Sequence, residues 1–274
     1  MDLRGKGVFL TGGAGGIGRS MVEALLKKGA QVLFCDVNEA AGKATETELK
    51  QQFGDKVIFK LCDLTNSTQL SEVFQAAVSA FGAVDVCVNN AGIADESIWQ
   101  TMIIVNMNAQ IQGSFLAYEH MRKDKGGRGG VIINTASMSG FVFGSHRNPV
   151  YTATKHAMVA FTTCWANNPE MGAQGVRWGV LCPTAVQTNL LAMREGMIHD
   201  YEGWKKNLTP HDRLQPGDVA ESFLALLENE DSNGAVLKVA REDGRAFHQL
   251  LFMDNSTNPP MGFVEQEKVF LASK

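Results

Sequence analysis

Gly7-Val8-Phe9-Leu10-Thr11-Gly12-Gly13-Ala14-Gly15-Gly16-Ile17-Gly18 opens the chain with a short apolar strand that runs into a glycine-rich turn. Ser20-Met21-Val22-Glu23-Ala24-Leu25-Leu26 follows with helical periodicity,. Glycines let the backbone turn sharply and approach a pyrophosphate, and the N-terminus of the next helix offers free N–H groups to its charge. Alone, such a run is equally a flexible loop; between a strand and a helix it points to a dinucleotide site. The second strand, Gln31-Val32-Leu33-Phe34-Cys35, ends at Asp36. That is about twenty residues after the turn, where an acidic side chain accepts hydrogen bonds from an adenosine ribose. A strand-end aspartate also caps helices, but this position favours the ribose. Neither Ala14-Gly15 nor Val37-Asn38 offers a cation for a ribose phosphate, so the expected cofactor is NAD rather than NADP.

Outward from this unit, strand and helix patterns keep alternating. A helix from Glu39 toward Gln52 is followed by a strand Val57–Leu61, a helix Ser67–Phe81 and a strand Val84–Val88. Such alternation calls for right-handed crossovers and a parallel sheet, and the apolar strands suit burial between two helical layers. The predicted fold is α/β, a single Rossmann-type doubly wound domain covering residues 1–274 with helices on both faces. A long helical pattern runs from about Ile98 to Arg122, and strands are expected at Val131–Asn134, Val176–Cys182 and Gly234–Val239, the last taken as the final central strand.

Tyr151-Thr152-Ala153-Thr154-Lys155 carries chemistry. A spacing of four residues sets the phenol and the ammonium on one helix face, one turn apart. A free tyrosine titrates near ~10, and a fixed cation close by favours the phenolate, toward the range of a general base. Taken alone, the pair is equally an ordinary amphipathic helix. Upstream, a serine hydroxyl of Thr135-Ala136-Ser137-Met138-Ser139 can donate to a carbonyl oxygen as negative charge gathers there.

In order and approximate spacing, Thr11-Gly12-x-x-x-Gly16-x-Gly18, Asn89-Asn90-Ala91-Gly92, Asn106, Ser137 and Tyr151-x-x-x-Lys155 resemble the short-chain dehydrogenase/reductase family over nearly the whole chain. The resemblance implies that Tyr151 removes a hydroxyl proton, that Lys155 lowers its pKa and contacts the nicotinamide ribose, that Ser137 orients the substrate oxygen and that Asn106 belongs to a proton relay. For the cofactor it implies Gly12, Gly16, Ile17 and Gly18 at the pyrophosphate, Asp36 and Val37 at the ribose, Asp63 and Leu64 at the adenine, Asn90 and Ala91 along it, and Pro183, Val186 and Thr188 at the nicotinamide amide. It also implies a homodimer or homotetramer through the helices of Asn106 and Tyr151, against burial of Phe161 and Trp165 within one subunit. Asp63 equally suits helix-entry capping. Ser137 lies fourteen residues before Tyr151, slightly more than the family spacing. Ser139 therefore stays an alternative, and substrate contact by Arg147 or Asn148 stays open. Thr184 stands where the family more usually has glycine.

Composition bounds the rest. With 274 residues, 45% of them hydrophobic, the chain buries a substantial core,. A net charge of −4 gives no broad attraction to nucleic acid or an anionic membrane,. The scattered cysteines Cys35, Cys62, Cys87, Cys164 and Cys182 lack metal-ligand spacing, so no metal is expected, and three of them sit in strand-like apolar runs, which suits buried thiols in the cytosol,. No membrane span or secretory signal is visible. Leu190, Leu191, Met193, Met197, Ile198, Tyr201 and Trp204 lie within residues 189–215. That stretch reads as a helical lid over an apolar alcohol or ketone, or as a plain core helix. Residues 245–274 form a C-terminal extension that closes the pocket or packs on a partner. The expected activity is oxidation of a secondary alcohol on a lipid-like substrate. A steroid, retinoid, farnesol or simple alcohol is the alternative substrate, and a non-catalytic dinucleotide-binding scaffold is the rival class.

Overall fold

The computed structural model describes residues 1–141, 146–207, 213–241, 244–250 and 263–269. Its strands are β1 (Gly7–Thr11), β2 (Gln31–Asp36), β3 (Val57–Leu61), β4 (Val86–Asn89), β5 (Gly130–Thr135), β6 (Val176–Pro183), β7 (Ala235–Ala240), β8 (Gly244–Leu250) and β9 (Phe263–Val269). They form one sheet in the order β3-β2-β1-β4-β5-β6-β7-β8-β9, in which every pair through β7 is parallel and the last two pairs are antiparallel. The expected parallel doubly wound sheet is present. Beyond it β7 is not the final strand, because the C-terminal extension adds β8 and β9 at one edge. Phe252 and Pro259-Pro260 of that extension lie outside the described residues.

Helices cover both faces. α1 (Gly16–Lys27) and α2 (Glu39–Phe53) share one face with α9 (Pro216–Glu228), and their Leu25, Leu49 and Phe223 pack on Val8, Phe34 and Leu237. On the other face α3 (Ser67–Phe81), α5 (Ala109–Met121) and α6 (Pro149–Ala166) close over Phe9, Ile132 and Trp178. β1 lies between β2 and β4, so the connections depart in opposite directions there and open a crevice at the carboxyl ends of the strands,.

The pattern expected to be one helix from Ile98 to Arg122 is divided. A 3₁₀ turn at Glu96–Ile98 leads into α4 (Trp99–Ile103), a π-helical turn covers Ile104–Asn108, and α5 follows. A π turn leaves the helical hydrogen-bond pattern for one turn, and Asn106 lies within it. Beneath the crevice a buried amide network fixes α5 and α6 to the sheet. Asn89 Nδ2 donates to Asn134 Oδ1 at 2.8 Å and to Ser114 Oγ at 3.1 Å, and Asn134 Nδ2 donates to Thr162 Oγ1 at 2.8 Å. Asn89 thus bridges β4 and β5.

Between residues 189 and 207 the predicted helical lid is mostly irregular. Helix is confined to a 3₁₀ turn at Asn189–Leu191 and to α8 (Tyr201–Asn207), which comes after the short α7 (Pro169–Gly172) in the chain. Residues 208–212 lie outside the described residues, as do 142–145 of the loop before Tyr151.

Candidate active site

The glycine turn leaves β1 beside the segment that follows β4. Gly12 holds φ at 72°, in the left-handed region,. A Cβ there would stand 2.8 Å from the Ala91 Cα, and one on Gly18 would strike the Gly12 carbonyl and the Asn90 amide. Asn90 Nδ2 donates to the carbonyls of Thr11 and Gly12, while Thr11 Oγ1 accepts from the N–H groups of Asn90 and Ala91. Two loops are thereby locked edge to edge at the mouth of a cavity of about 600 Å³.

Most of the predicted cofactor residues line this one cavity. Gly12, Gly16, Ile17 and Gly18, Asp36, Val37, Asp63 and Leu64, and Asn90, Ala91 and Thr188 all line it. Pro183 ends β6, and Val186 is buried and bridged to Leu214; neither lines this cavity. Asp36 accepts from the Ala14 N–H at 3.1 Å and from the Asn38 N–H at 3.0 Å, which orients its carboxylate over the turn. Asp63 Oδ1 accepts from the N–H and the hydroxyl of Thr65, whereas the cap of α3 is Asn66, whose Oδ1 takes the N–H groups of Thr68 and Gln69.

The second half of the site is carried by α6. Tyr151 and Lys155 are both buried, and Lys155 Nζ lies 5.5 Å from the centre of the Tyr151 ring. Of the two serines, Ser137 is the one whose hydroxyl acts on the Tyr151 phenol, in the direction that lowers its pKa. Ser137 Oγ also accepts from the Ser139 N–H at 3.1 Å, which fixes the hydroxyl at the end of β5. Asn106 is fully buried. Its Oδ1 accepts from the Ile93 N–H and its Nδ2 donates to the Ile93 carbonyl, both at 2.8 Å. This two-way clasp on a neighbouring backbone accompanies the π turn. A Cβ on Gly92 would sit 3.3 Å from Asn106 Oδ1 and 3.4 Å from Lys155 Nζ, so Asn106 and Lys155 flank the same bare backbone.

Burial pushes the Tyr151 phenol above its ordinary range, with Ser137 opposing. Burial brings the Lys155 ammonium down to about 8. In both the cause is desolvation of the charged form, and the ammonium donates to the Thr135 carbonyl at 3.0 Å. Sequence reasoning missed Gln110, whose buried amide donates to the carbonyls of Ala91 at 3.2 Å and Thr135 at 3.4 Å. It shares with Lys155 the carbonyl that anchors the ammonium. Its spacing of four residues from Asn106 was the available signal.

The chain belongs to the short-chain dehydrogenase family: residues 6–197 match the model described as short chain dehydrogenase. It is 35% identical to human 15-hydroxyprostaglandin dehydrogenase [NAD(+)] over 266 residues, covering 94% of this chain and 98% of that protein. It is 35% identical to 3beta-hydroxysteroid dehydrogenase 2 of Eggerthella lenta over 255 residues, covering 86% and 94%. The crystal structure of gox2181 superposes with a TM-score of 0.74 at 25% identity, covering 86% of this chain and 95% of that one. The chain is therefore an oxidoreductase acting on an alcohol or ketone with NAD as cofactor. The residues present fit that group, since the bare glycine backbone leaves room for a pyrophosphate and Asp36 supplies acceptors without a nearby cation at positions 37 and 38.

Asp36→Ala is expected to cost about 10–100-fold in kcat/KM with NAD, the loss of hydrogen bonds to a charged acceptor, while leaving NADP little changed. Steady-state kinetics with both cofactors checks this; equal use of the two by the wild type would remove the role from Asp36.

Proposed function

We propose that this enzyme oxidises a bulky, apolar secondary alcohol, of a lipid or prostaglandin-like kind, to the ketone. The observation that carries the reading is the packing at the phenol: Tyr151 lies against Ala94 and Met102, with Ile93, Val150 and Met193 packed on the same cluster. A substrate hydroxyl that reaches Tyr151 is thus surrounded by aliphatic and thioether groups, which reward large apolar surface. Met193 belongs to the segment 189–215, proposed as the lid. Two relatives named for a hydroxyprostaglandin and a hydroxysteroid support the choice, both being secondary alcohols on large apolar frames.

When bound, NAD supplies the hydride acceptor and the positive charge of its nicotinamide. Tyr151 Oη takes the proton of the substrate hydroxyl as the carbinol carbon gives up its hydride, so the alcohol loses two electrons and two hydrogens. The Ser137 hydroxyl, held by the Ser139 N–H, orients the substrate oxygen and donates to it. Lys155 keeps a cation beside the phenol and would contact the ribose of the bound cofactor. Asn106, by clasping Ile93, holds the wall through which the relayed proton leaves. Asp36 and Val37 would hold the adenosine ribose, Asp63 and Leu64 the adenine, and Pro183, Val186 and Thr188 the nicotinamide amide.

A panel of a 15-hydroxyprostaglandin, a 3β-hydroxysteroid, decan-2-ol and propan-2-ol, followed by NADH absorbance, tests the substrate class. kcat/KM is expected to rise with apolar size, and Met193→Ala to lower it roughly tenfold for the bulky alcohols alone, the scale of a few methylenes in an apolar pocket. Trp204, stacked on Tyr201 at 5.9 Å, reports on the lid when replaced by alanine. A preference for propan-2-ol that neither substitution alters would overturn the lipid assignment.

The same reading takes the α5–α6 face as the contact of a homodimer or homotetramer. Phe115 is 39% exposed there, 6.0 Å from the Phe161 ring and 5.2 Å from the Trp165 ring. Sedimentation as a monomer would refute it. Among the described residues no helix is long and apolar enough to cross a membrane.

A further inference from the structure

Helix α6 begins with an unusual debt of hydrogen bonds. The first N–H groups of any helix lack intrahelical acceptors, and here they belong to the turn that carries Tyr151. Pro149 has no N–H, and the Thr152 N–H reaches the Asn148 carbonyl at 2.9 Å,. The two that remain, on Val150 and Tyr151, both go to one carboxylate from a distant segment: Glu96 Oε2 accepts from Val150 at 3.1 Å and Glu96 Oε1 from Tyr151 at 2.9 Å. The Asn148 side chain makes no capping bond. A negative group at this end is also favoured by the helix dipole.

Glu96 is itself rigidly presented. It opens the 3₁₀ turn Glu96–Ile98, capped by Asp95, whose Oδ1 accepts from the N–H and the hydroxyl of Ser97. The backbone N–H of Glu96 faces the other way and donates to the Met197 carbonyl at 2.8 Å, within the segment 189–207. A second tie runs parallel to it. The His199 N–H donates to the Arg147 carbonyl at 2.7 Å, and the Arg147 guanidinium pairs with Asp200 at 3.0 Å. One residue therefore touches the segment over the apolar site with its main chain and the backbone of Tyr151 with its side chain.

We propose that Glu96 is a positioning residue that couples the lid segment to Tyr151, so that seating a bulky substrate under residues 189–207 sets the phenol at its working position. The inference rests on the proposed roles of Tyr151 and of the lid. It assigns Glu96 no contact with substrate or cofactor.

The test compares wild type, Glu96→Ala, Glu96→Gln and Tyr151→Phe with the panel alcohol of highest kcat/KM, protiated and deuterated at its carbinol carbon. NADH affinity is measured separately by fluorescence. Misplacement of a reacting group by a fraction of an ångström is expected to lower kcat of Glu96→Ala roughly tenfold. The deuterium isotope effect on kcat should rise as hydride transfer becomes limiting, with NADH affinity within about twofold of wild type. Glu96→Gln keeps one acceptor but turns an NH₂ toward the other N–H, so it should fall between. Loss of properly folded enzyme would lower kcat without moving the isotope effect, and that pattern would overturn the proposal. So would unchanged kcat and isotope effect in Glu96→Gln, the variant least disturbing to the fold. Because Tyr151→Phe is run alongside, the two readings fail separately: an active Tyr151→Phe removes the role of the phenol, whereas an inactive Tyr151→Phe beside an unaltered Glu96→Gln removes only that of Glu96.

Discussion

Tyr151→Phe is expected to lower kcat for alcohol oxidation by about 10²–10⁴-fold, the usual contribution of a positioned proton acceptor, while the protein folds and binds NADH as before. The substitution removes one oxygen and leaves the ring against Ala94 and Met102, so packing is conserved. Ser137 loses the phenol as a partner but keeps the Ser139 N–H, and the hydroxyl stays in place. The direction of the phenol's shift adds a pH signature. Burial holds Tyr151 above the ordinary phenol range, so in the cofactor-free enzyme its tyrosinate absorbance should emerge only at a pH above ~10 and be missing from Tyr151→Phe. Oxidation by the wild type should climb with pH as the phenolate fraction grows, and the variant should lack that climb. The checks are the pH dependence of kcat, an ultraviolet titration and NADH fluorescence. Near-normal turnover in Tyr151→Phe with cofactor binding intact would mean that another group moves the proton.

Why these residues could be picked from the sequence, and others could not, follows from the range of the forces that place them. The glycine turn, Asp36 and the Tyr151–Lys155 spacing are local: each is fixed by a strand end or a helix turn next to it in the chain. α3 has the ends its sequence pattern gave, and the groups that close it are adjacent in the chain, Asn66 capping the start and Gly82 at φ 75° following the end,. The π turn at Asn106 left no such trace. Ile104–Asn108 contains neither glycine nor proline, and its apolar spacing is that of an ordinary helix; what accompanies the turn is a clasp on Ile93 across space. Glu96 was invisible for the same reason, since its partners lie 54 and 55 residues away. β8 and β9 escaped because their pairing is at the edge, after a strand that already completed the expected parallel set. The shared preference of Tyr151 and Lys155 for their neutral forms is a property of burial, which spacing alone does not reveal.

Lys155→Met is expected to remove nearly all turnover and weaken NADH binding, yet to make the protein more stable at neutral pH. Lys155 is 3% exposed, and its ammonium falls from its ordinary 10.5 to about 8. The folded state therefore holds the proton less tightly than the unfolded chain. Between about pH 8 and 10.5 the unfolded chain binds more protons, so the stability of the wild type rises with pH across that window. Below about 8 both states are protonated, and the full desolvation penalty is present. At about 1.4 kcal/mol per pH unit this penalty is roughly 3 kcal/mol. The lost hydrogen bond to the Thr135 carbonyl takes back about 1 kcal/mol, leaving a net gain of roughly 2 kcal/mol. Methionine fills a similar volume without a charge, so its gain over wild type should be largest near pH 7 and shrink as pH approaches 10.5. For a chain of this size the gain corresponds to a rise in Tm of roughly 4–8 °C, read by thermal unfolding of the cofactor-free proteins at pH 7 and again near pH 10. A variant less stable than wild type at pH 7 would show that the fold fully compensates the buried ammonium. A stabilised but inactive Lys155→Met would instead mark Lys155 as a charge kept in the core for what it does beside Tyr151, at a standing cost to the fold.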